Sequence, residues 1–62
     1  MRLIGNQCYR VLLRDGNVIK FRFLGNKTNS DELIVEVKGK QENLFELLRY
    51  GYIAYEEIEC IN

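Results

Sequence analysis

Apolar and polar residues alternate along the first third of the chain, and this alternation predicts two strands that form a hairpin. A polar segment of Asp15, Gly16 and Asn17 interrupts the pattern and fits a three-residue loop that places Arg14 opposite Val18. The inward pairs are then Leu13 with Ile19, Val11 with Phe21, and Tyr9 with Phe23, so one face is wholly apolar. A two-residue loop would shift the register by one and mix apolar with charged residues on both faces. We therefore predict the longer loop, with Asn17 left-handed and Asp15 bonded to its own backbone two residues on.

The hairpin strands are expected at residues 7–14 and 18–24. A run of turn-forming residues at 25–31 predicts a surface loop. Alternation returns at residues 32–38, which predicts a third strand antiparallel to the second. Its inward face would carry Leu33, Val35 and Val37.

The periodicity changes after residues 39–42, which are expected to end the third strand. Asn43 is a helix-capping residue, Glu46 has the spacing of a capping-box acid, and Gly51 suits a left-handed helix end. The apolar face of this short helix would consist of Leu44, Leu47 and Leu48. About two turns are too short to be stable alone, so the helix is expected only if these leucines cover the core.

Two apolar segments, residues 52–55 and 58–61, follow the predicted helix. Glu56 and Glu57 separate them, which predicts a tight turn between a fourth and a fifth strand. The chain has no proline, no repeat and no low-complexity segment. Residues 1–62 are therefore expected to form a single domain.

Composition narrows the classes of function. The content of 47% hydrophobic and 29% charged residues is typical of a folded globular chain. The formal net charge is zero, which disfavours general nucleic-acid binding. Residues 1–40 nevertheless carry an excess of four positive charges and residues 41–62 an excess of four negative charges. This asymmetry fits two ends of a fold that pair with each other.

Neither a signal peptide nor a membrane span is predicted, so a cytoplasmic location is expected without membrane contact. Cys8 and Cys60 lie near opposite ends of the chain, and free thiols are the first expectation. Histidine is absent, which disfavours a zinc site and the usual catalytic bases. We expect no enzyme activity, no metal and no cofactor. A small enzyme would have to use carboxylates such as Glu57 and Glu59.

The strand order resembles that of small SH3-like barrels and, among them, Sm-like proteins. The likeness is carried by residues 11–16, residues 21–25 and the closing Ile53, Ile58 and Ile61. It implies a mainly β fold, a small five-stranded SH3-like barrel with one short helix between strands three and four. First and last strands are neighbours in such barrels, so a disulfide between Cys8 and Cys60 is the alternative to free thiols.

The RNA-contacting residues of Sm-like proteins do not carry over to this chain. Residues 26–31 lack the Asp and Asn spacing of the family's loop, and Ala54 and Tyr55 occupy its Arg-Gly positions. An RNA binding by a ring-forming, Sm-like protein is for this reason kept only as the alternative function. Isolated glycines form no phosphate-binding loop.

A binding or regulatory module that docks a protein partner is the predicted function. The candidate contacts are a basic hairpin face of Arg10, Arg14, Lys20 and Arg22, and a tyrosine cluster of Tyr50, Tyr52 and Tyr55. Arginine offers bidentate contacts to carboxylates, and tyrosine is enriched at interfaces. The alternatives are a solvated outer face that prevents aggregation and tyrosine rings that complete the core. An open sheet edge would also allow self-association.

Overall fold

The computed structural model describes residues 1–60 and shows five antiparallel strands in one sheet with one short helix. The elements are β1 (Cys8–Leu13), β2 (Val18–Asn26), β3 (Leu33–Val37), β4 (Lys40–Asn43), α1 (Leu44–Leu47) and β5 (Tyr52–Ile58). The sheet order is β4-β3-β2-β1-β5, so the chain returns at its end to lie beside β1. The predicted mainly β class, strand number and single short helix are confirmed.

The first hairpin has a three-residue loop, as predicted, but the loop begins one residue earlier. Leu13 N–H donates to the Asn17 carbonyl at 2.8 Å, and Gly16 N–H donates to the Leu13 carbonyl at 3.0 Å. The predicted register is therefore wrong by two residues, with Tyr9 opposite Phe21 rather than Phe23. The reason is that Gly16, with a φ of 92°, takes the left-handed position at lower cost than Asn17 would.

The predicted inward and outward faces of the hairpin are nevertheless correct, because a shift of two residues leaves every side chain on the same side of the sheet. The buried core is built mainly from the inward rows of β1, β2 and β3. Its members are Tyr9, Val11, Phe21, Phe23, Val35 and Leu44. The predicted contact inside the loop is also confirmed, since Asp15 Oδ1 accepts from Asn17 N–H at 2.9 Å.

The strands after β3 differ from the prediction. Lys38 and Gly39, both with positive φ, form a turn, and the polar residues that follow pair with β3 as β4. β5 continues without a turn through Glu56 and Glu57, because both fit opposite β1 in a regular ladder. The helix therefore lies between the fourth and fifth strands rather than between the third and fourth. The predicted barrel-closing role of Ile61 lies outside the described residues.

Local signals placed the start of helix α1 correctly, although the helix has four residues rather than the expected two turns. Asn43 Oδ1 accepts from Phe45 N–H at 2.9 Å and from Glu46 N–H at 3.4 Å. Gly51 has a φ of 93°, and its N–H donates to the Leu48 carbonyl at 2.8 Å. The predicted leucine face packs on the core through Leu44, Leu47 and Leu48. Among residues 1–60 there is no helix with the length and apolar character that a membrane crossing needs.

A disulfide joins Cys8 to Cys60, with Cα atoms 5.3 Å apart. The expectation of free thiols is therefore wrong. The return of β5 to β1 brings Cys60 beside Cys8, and this proximity allows the bond. The disulfide fastens the segment that follows β5 to the start of β1 and closes a loop across 52 residues.

Loss of the disulfide should destabilise the domain strongly. A loop of this length is worth about 4 kcal/mol in the chain-entropy account, a large share of the stability of so small a chain. Urea unfolding with and without dithiothreitol measures the difference. The double variant Cys8→Ser with Cys60→Ser is the control, because the reductant should not change its unfolding. Identical curves for the oxidised and reduced wild type would contradict the prediction.

The buried inward row should be far more sensitive to truncation than the outer one. Val35 is 0% exposed and Val18 is 53% exposed, so the same substitution can be compared in two environments. Val35→Ala should lower the free energy of unfolding by about 2 kcal/mol, since it leaves a cavity. Val18→Ala should change it by less than about 0.5 kcal/mol. Urea denaturation of both variants provides the comparison, and equal losses would argue against this core.

Candidate binding surface

The outer face of the sheet carries most of the predicted basic residues. The β1–β2 register places Arg10 opposite Lys20, Leu12 opposite Val18, and Cys8 opposite Arg22. Since alternate residues share a side of a strand, these side chains project away from the core. We call Arg10, Leu12, Val18, Lys20 and Arg22 the basic face. Three of the four predicted basic residues are thus brought together.

Arg10 and Lys20 form a like-charged cross-strand pair, which is unfavourable by itself. Glu56 of β5 lies opposite Arg10 on the other side, and its carboxylate forms a salt bridge with the Arg10 guanidinium. Lys20 forms no ion pair within the part of the chain that the structure describes. Of this cross-strand pair, Arg10 is therefore offset by a carboxylate and Lys20 is not.

Arg22 borders an open cleft of about 370 Å³ at one end of the basic face. Glu36 of β3 lies opposite Arg22 in the sheet. The charged side chains that line the cleft are Lys20, Arg22, Glu36, Lys38 and Glu59. With three cations and two carboxylates, the cleft has a small positive excess. The disulfide-bonded Cys8 also lines it.

A second, smaller cleft of about 190 Å³ lies at the other end of the basic face. The apolar Leu12 and Val18 line it on one side, and Ala54 and Tyr55 line it on the other. A surface that combines a concave apolar patch with cations at its border is typical of protein interfaces. The basic face therefore offers both charge and apolar area to a partner.

Arg14 does not join the basic face. It occupies the first position of the hairpin loop, and its N–H donates to the Gly51 carbonyl at 3.2 Å. Its side chain crosses Gly51 so closely that a Cβ added there would lie 2.6 Å from Arg14 Nε. This contact ties the hairpin loop to the segment between α1 and β5, which is a structural role.

The predicted tyrosine cluster divides into two parts. The rings of Tyr52 and Tyr55 meet edge to face, with centroids 6.0 Å apart. Tyr50 is 80% exposed, and the Arg49 guanidinium lies 5.6 Å from the centroid of its ring. The pKa of Arg49 is raised above its ordinary value, first by a side-chain hydrogen bond with Tyr50 and then by Glu46. Tyr55 also borders the cleft beside the basic face, but its place opposite Val11 directs its ring to the core side, where its hydroxyl accepts from Arg2 N–H at 3.3 Å.

Glu56 is the charged residue beside the basic face whose position the sequence did not predict. The prediction placed it in a turn, where its side chain would have no defined partner. A single strand at residues 52–58 would have placed Glu56 on the same face as Arg10, because the ladder with β1 aligns the two. Apolar alternation is the sequence signal for a strand, and it stops at the adjacent Glu56 and Glu57. The sequence therefore did not indicate that β5 continues through them.

Residues 1–60 contain no cluster of three or more Cys, Asp or Glu side chains placed to hold a metal ion. Comparisons with protein-family models, curated proteins and solved structures found no significant match to this chain. The case for a function is therefore made from the geometry of the outer face.

The Arg10–Glu56 pair should add little to stability. Its side chains are 48% and 53% exposed, and salt bridges in water are worth about 0 to 1 kcal/mol. A double-mutant cycle with Arg10→Ala, Glu56→Ala and the combined variant should give a coupling energy below about 1 kcal/mol by urea denaturation. The exposed pair of Glu46 and Arg49, three residues apart at the end of α1, is a control expected to give a similar value. A coupling energy well above the control would show that Arg10 is needed to hold β5.

Proposed function

We propose that this chain is a binding module without catalytic activity, which docks an acidic protein partner on its basic face. The observation that carries the proposal is the like-charged pair of Arg10 and Lys20 at the centre of that face. Such a pair opposes folding, but it suits a surface that a partner's carboxylates neutralise. Tyr52 and Tyr55 lie opposite Leu13 and Val11 and therefore project to the core side of the sheet, so we propose them only as secondary contacts. Arg14 and Tyr50 lie apart and are secondary contacts.

A protein partner is favoured over RNA by what surrounds these cations. Glu56 is paired with Arg10, and Glu36 lies opposite Arg22, so a continuous track for phosphates is interrupted at both ends. Leu12 and Val18 add apolar area, which contributes to protein interfaces more than to backbone binding of nucleic acids. The Sm-like RNA-binding function therefore remains the alternative rather than the preferred proposal.

We also propose that the sheet is a small SH3-like barrel. Two features support this assignment. β5 lies beside β1, and β2 is irregular between Phe23 and Gly25, where Gly25 has a φ of 119°. Such a bulge bends a long strand, which allows it to serve both halves of a curved sheet.

The compartment is a further part of the proposal. A cytoplasmic location was expected from the sequence, but a disulfide persists most readily in an oxidising environment. The disulfide therefore favours an oxidising compartment.

Charge reversal at Lys20 tests the docking proposal. Lys20→Glu should weaken partner binding at least about tenfold, or about 1.4 kcal/mol, because it replaces an attraction with a repulsion. Lys40→Glu is the matched control, since it makes the same change in net charge on β4 and should leave affinity within about twofold. Immobilised wild-type protein would capture the partner from the native host, and calorimetry would compare the three proteins.

The same three proteins should be titrated with single-stranded RNA at about 50 and 200 mM salt. The proposal predicts weak RNA binding at both concentrations. Tight, salt-sensitive RNA binding that Lys20→Glu abolishes would support the Sm-like alternative instead. Equal losses of partner affinity in Lys20→Glu and Lys40→Glu would show that net charge, rather than the basic face, controls binding.

A further inference from the structure

We infer that the free edge of β5 pairs with β5 of a second copy of this chain, antiparallel and about a two-fold axis. β5 is the last strand of the sheet, and β1 is its one neighbour in the ladders of residues 1–60. At seven residues it is the longer of the two edge strands, since β4 has four. An unpaired strand of this length presents a row of N–H and C=O groups to another strand.

The hydrogen bonds of β1 determine which groups of β5 are on that edge. Leu13 N–H donates to the Asn17 carbonyl, which shows that odd-numbered residues of β1 bond towards β2. Even-numbered residues therefore bond towards β5, as Arg14 N–H does to the Gly51 carbonyl just beyond the strand. The two directions alternate along a strand in an antiparallel sheet.

Opposite the even-numbered Arg10 and Leu12 lie Glu56 and Ala54, whose backbone groups are thus used by β1. The residues between and after them direct their N–H and C=O groups the other way. Tyr55 and Glu57 therefore present backbone donors and acceptors along the free edge. Side chains at these two positions do not block the edge, because they project to the face of the sheet.

The sequence of β5 is complementary to itself in one register. A two-fold axis at Tyr55 places Tyr55 opposite its own copy, Ala54 opposite Glu56 of the second copy, and Ile53 opposite Glu57 of the second copy. No carboxylate then faces another carboxylate directly. An axis at Glu56 would place Glu56 opposite itself, and like charges directly opposite are destabilising. The axis at Tyr55 avoids such a pair and is also the one that pairs all seven residues of β5, so length and charge together favour this register.

Two other features favour a second copy as the occupant. β5 has neither proline nor lysine, two common devices for protecting an edge. Of its two carboxylates, which can also protect an edge, Glu56 is offset by Arg10, and Glu57 would lie opposite Ile53 of the second copy. Ile53 is 63% exposed in the single chain, and pairing would cover part of it with the aliphatic stem of Glu57 from the second copy. The pairing would form two backbone hydrogen bonds at Tyr55 and up to about four between Ile53 and Glu57, where β5 is irregular opposite Leu12 and Leu13, and it would join the two sheets.

Sedimentation equilibrium over a range of concentrations tests the inference. The wild type should approach twice its chain mass of 7.3 kDa. Tyr55→Pro should raise the dimer dissociation constant at least about thirtyfold, because it removes one edge N–H from each copy. It removes no hydrogen bond to β1, so circular dichroism should show a folded monomer. Tyr55→Thr, the control, keeps the N–H and should remain dimeric.

Should Tyr55→Pro fail to fold, Tyr55→Lys replaces it, since two lysines facing each other at the axis should also dissociate the dimer. Amide exchange provides an independent readout, because exchange at Tyr55 and Glu57 should slow as concentration rises. A wild type that stays monomeric at every concentration would overturn the inference. So would a larger ring, which would mean head-to-tail pairing of β5 with β4. A dimer that Lys20→Glu dissociates, and Tyr55→Pro does not, would place the contact on the basic face instead.

Discussion

The position of β1 between β2 and β5 is the constraint on which the rest of the structure depends. Through its two ladders, β1 uses its backbone groups on both sides and directs Tyr9 and Val11 into the centre of the core. A chain of 62 residues buries too little apolar surface to tolerate a poorly packed central strand. The disulfide acts on the same element, because it fixes Cys60, just after β5, to the start of β1. Local strand pairing and the long-range covalent link therefore stabilise the same part of the fold.

The outer face is a direct consequence of that core. Alternation directs Tyr9, Val11 and Phe21 into the interior, so the residues between them project outwards. Arg10 and Lys20 therefore lie opposite each other in spite of their mutual repulsion. β5 reduces that cost at one position only, where Glu56 reaches Arg10. The hairpin thus tolerates an uncompensated charge at Lys20 because its stability comes from the opposite face. Because the core face supplies the stability, the outer face can have few internal contacts and remain available for binding.

Alternation predicted the two faces of the first hairpin and the inward position of Val35 because a two-residue period is unchanged by a shift of two. For the same reason it could not determine the register, which depends on whether Gly16 or Asn17 takes the left-handed position. The polar strand β4 carries almost no apolar signal, and its pairing depends on the turn at Gly39 and on the exposed backbone of β3. Cys8 and Cys60 meet because β5 returns to lie beside β1, and no local sequence pattern predicts that return. The candidate residues followed the same rule: Arg10, Lys20 and Arg22 lie on the predicted outer face of the hairpin, whereas the positions of Arg14 and Glu56 depended on a turn and on a strand boundary.

The geometry of β5 relates the basic face to the free edge of the sheet. In the register centred on Tyr55, Ala54 lies opposite Glu56 of the second copy, and both residues belong to the outer side of their sheets. An antiparallel pair formed in this way places both outer faces on the same side of one continuous sheet. Each dimer would then present two copies of the basic face in one direction. A partner with two acidic segments could engage both, and the second contact would be intramolecular, which raises affinity without any new residue. Edge pairing would therefore strengthen the proposed docking function rather than compete with it, because backbone groups form the dimer and side chains remain available to the partner.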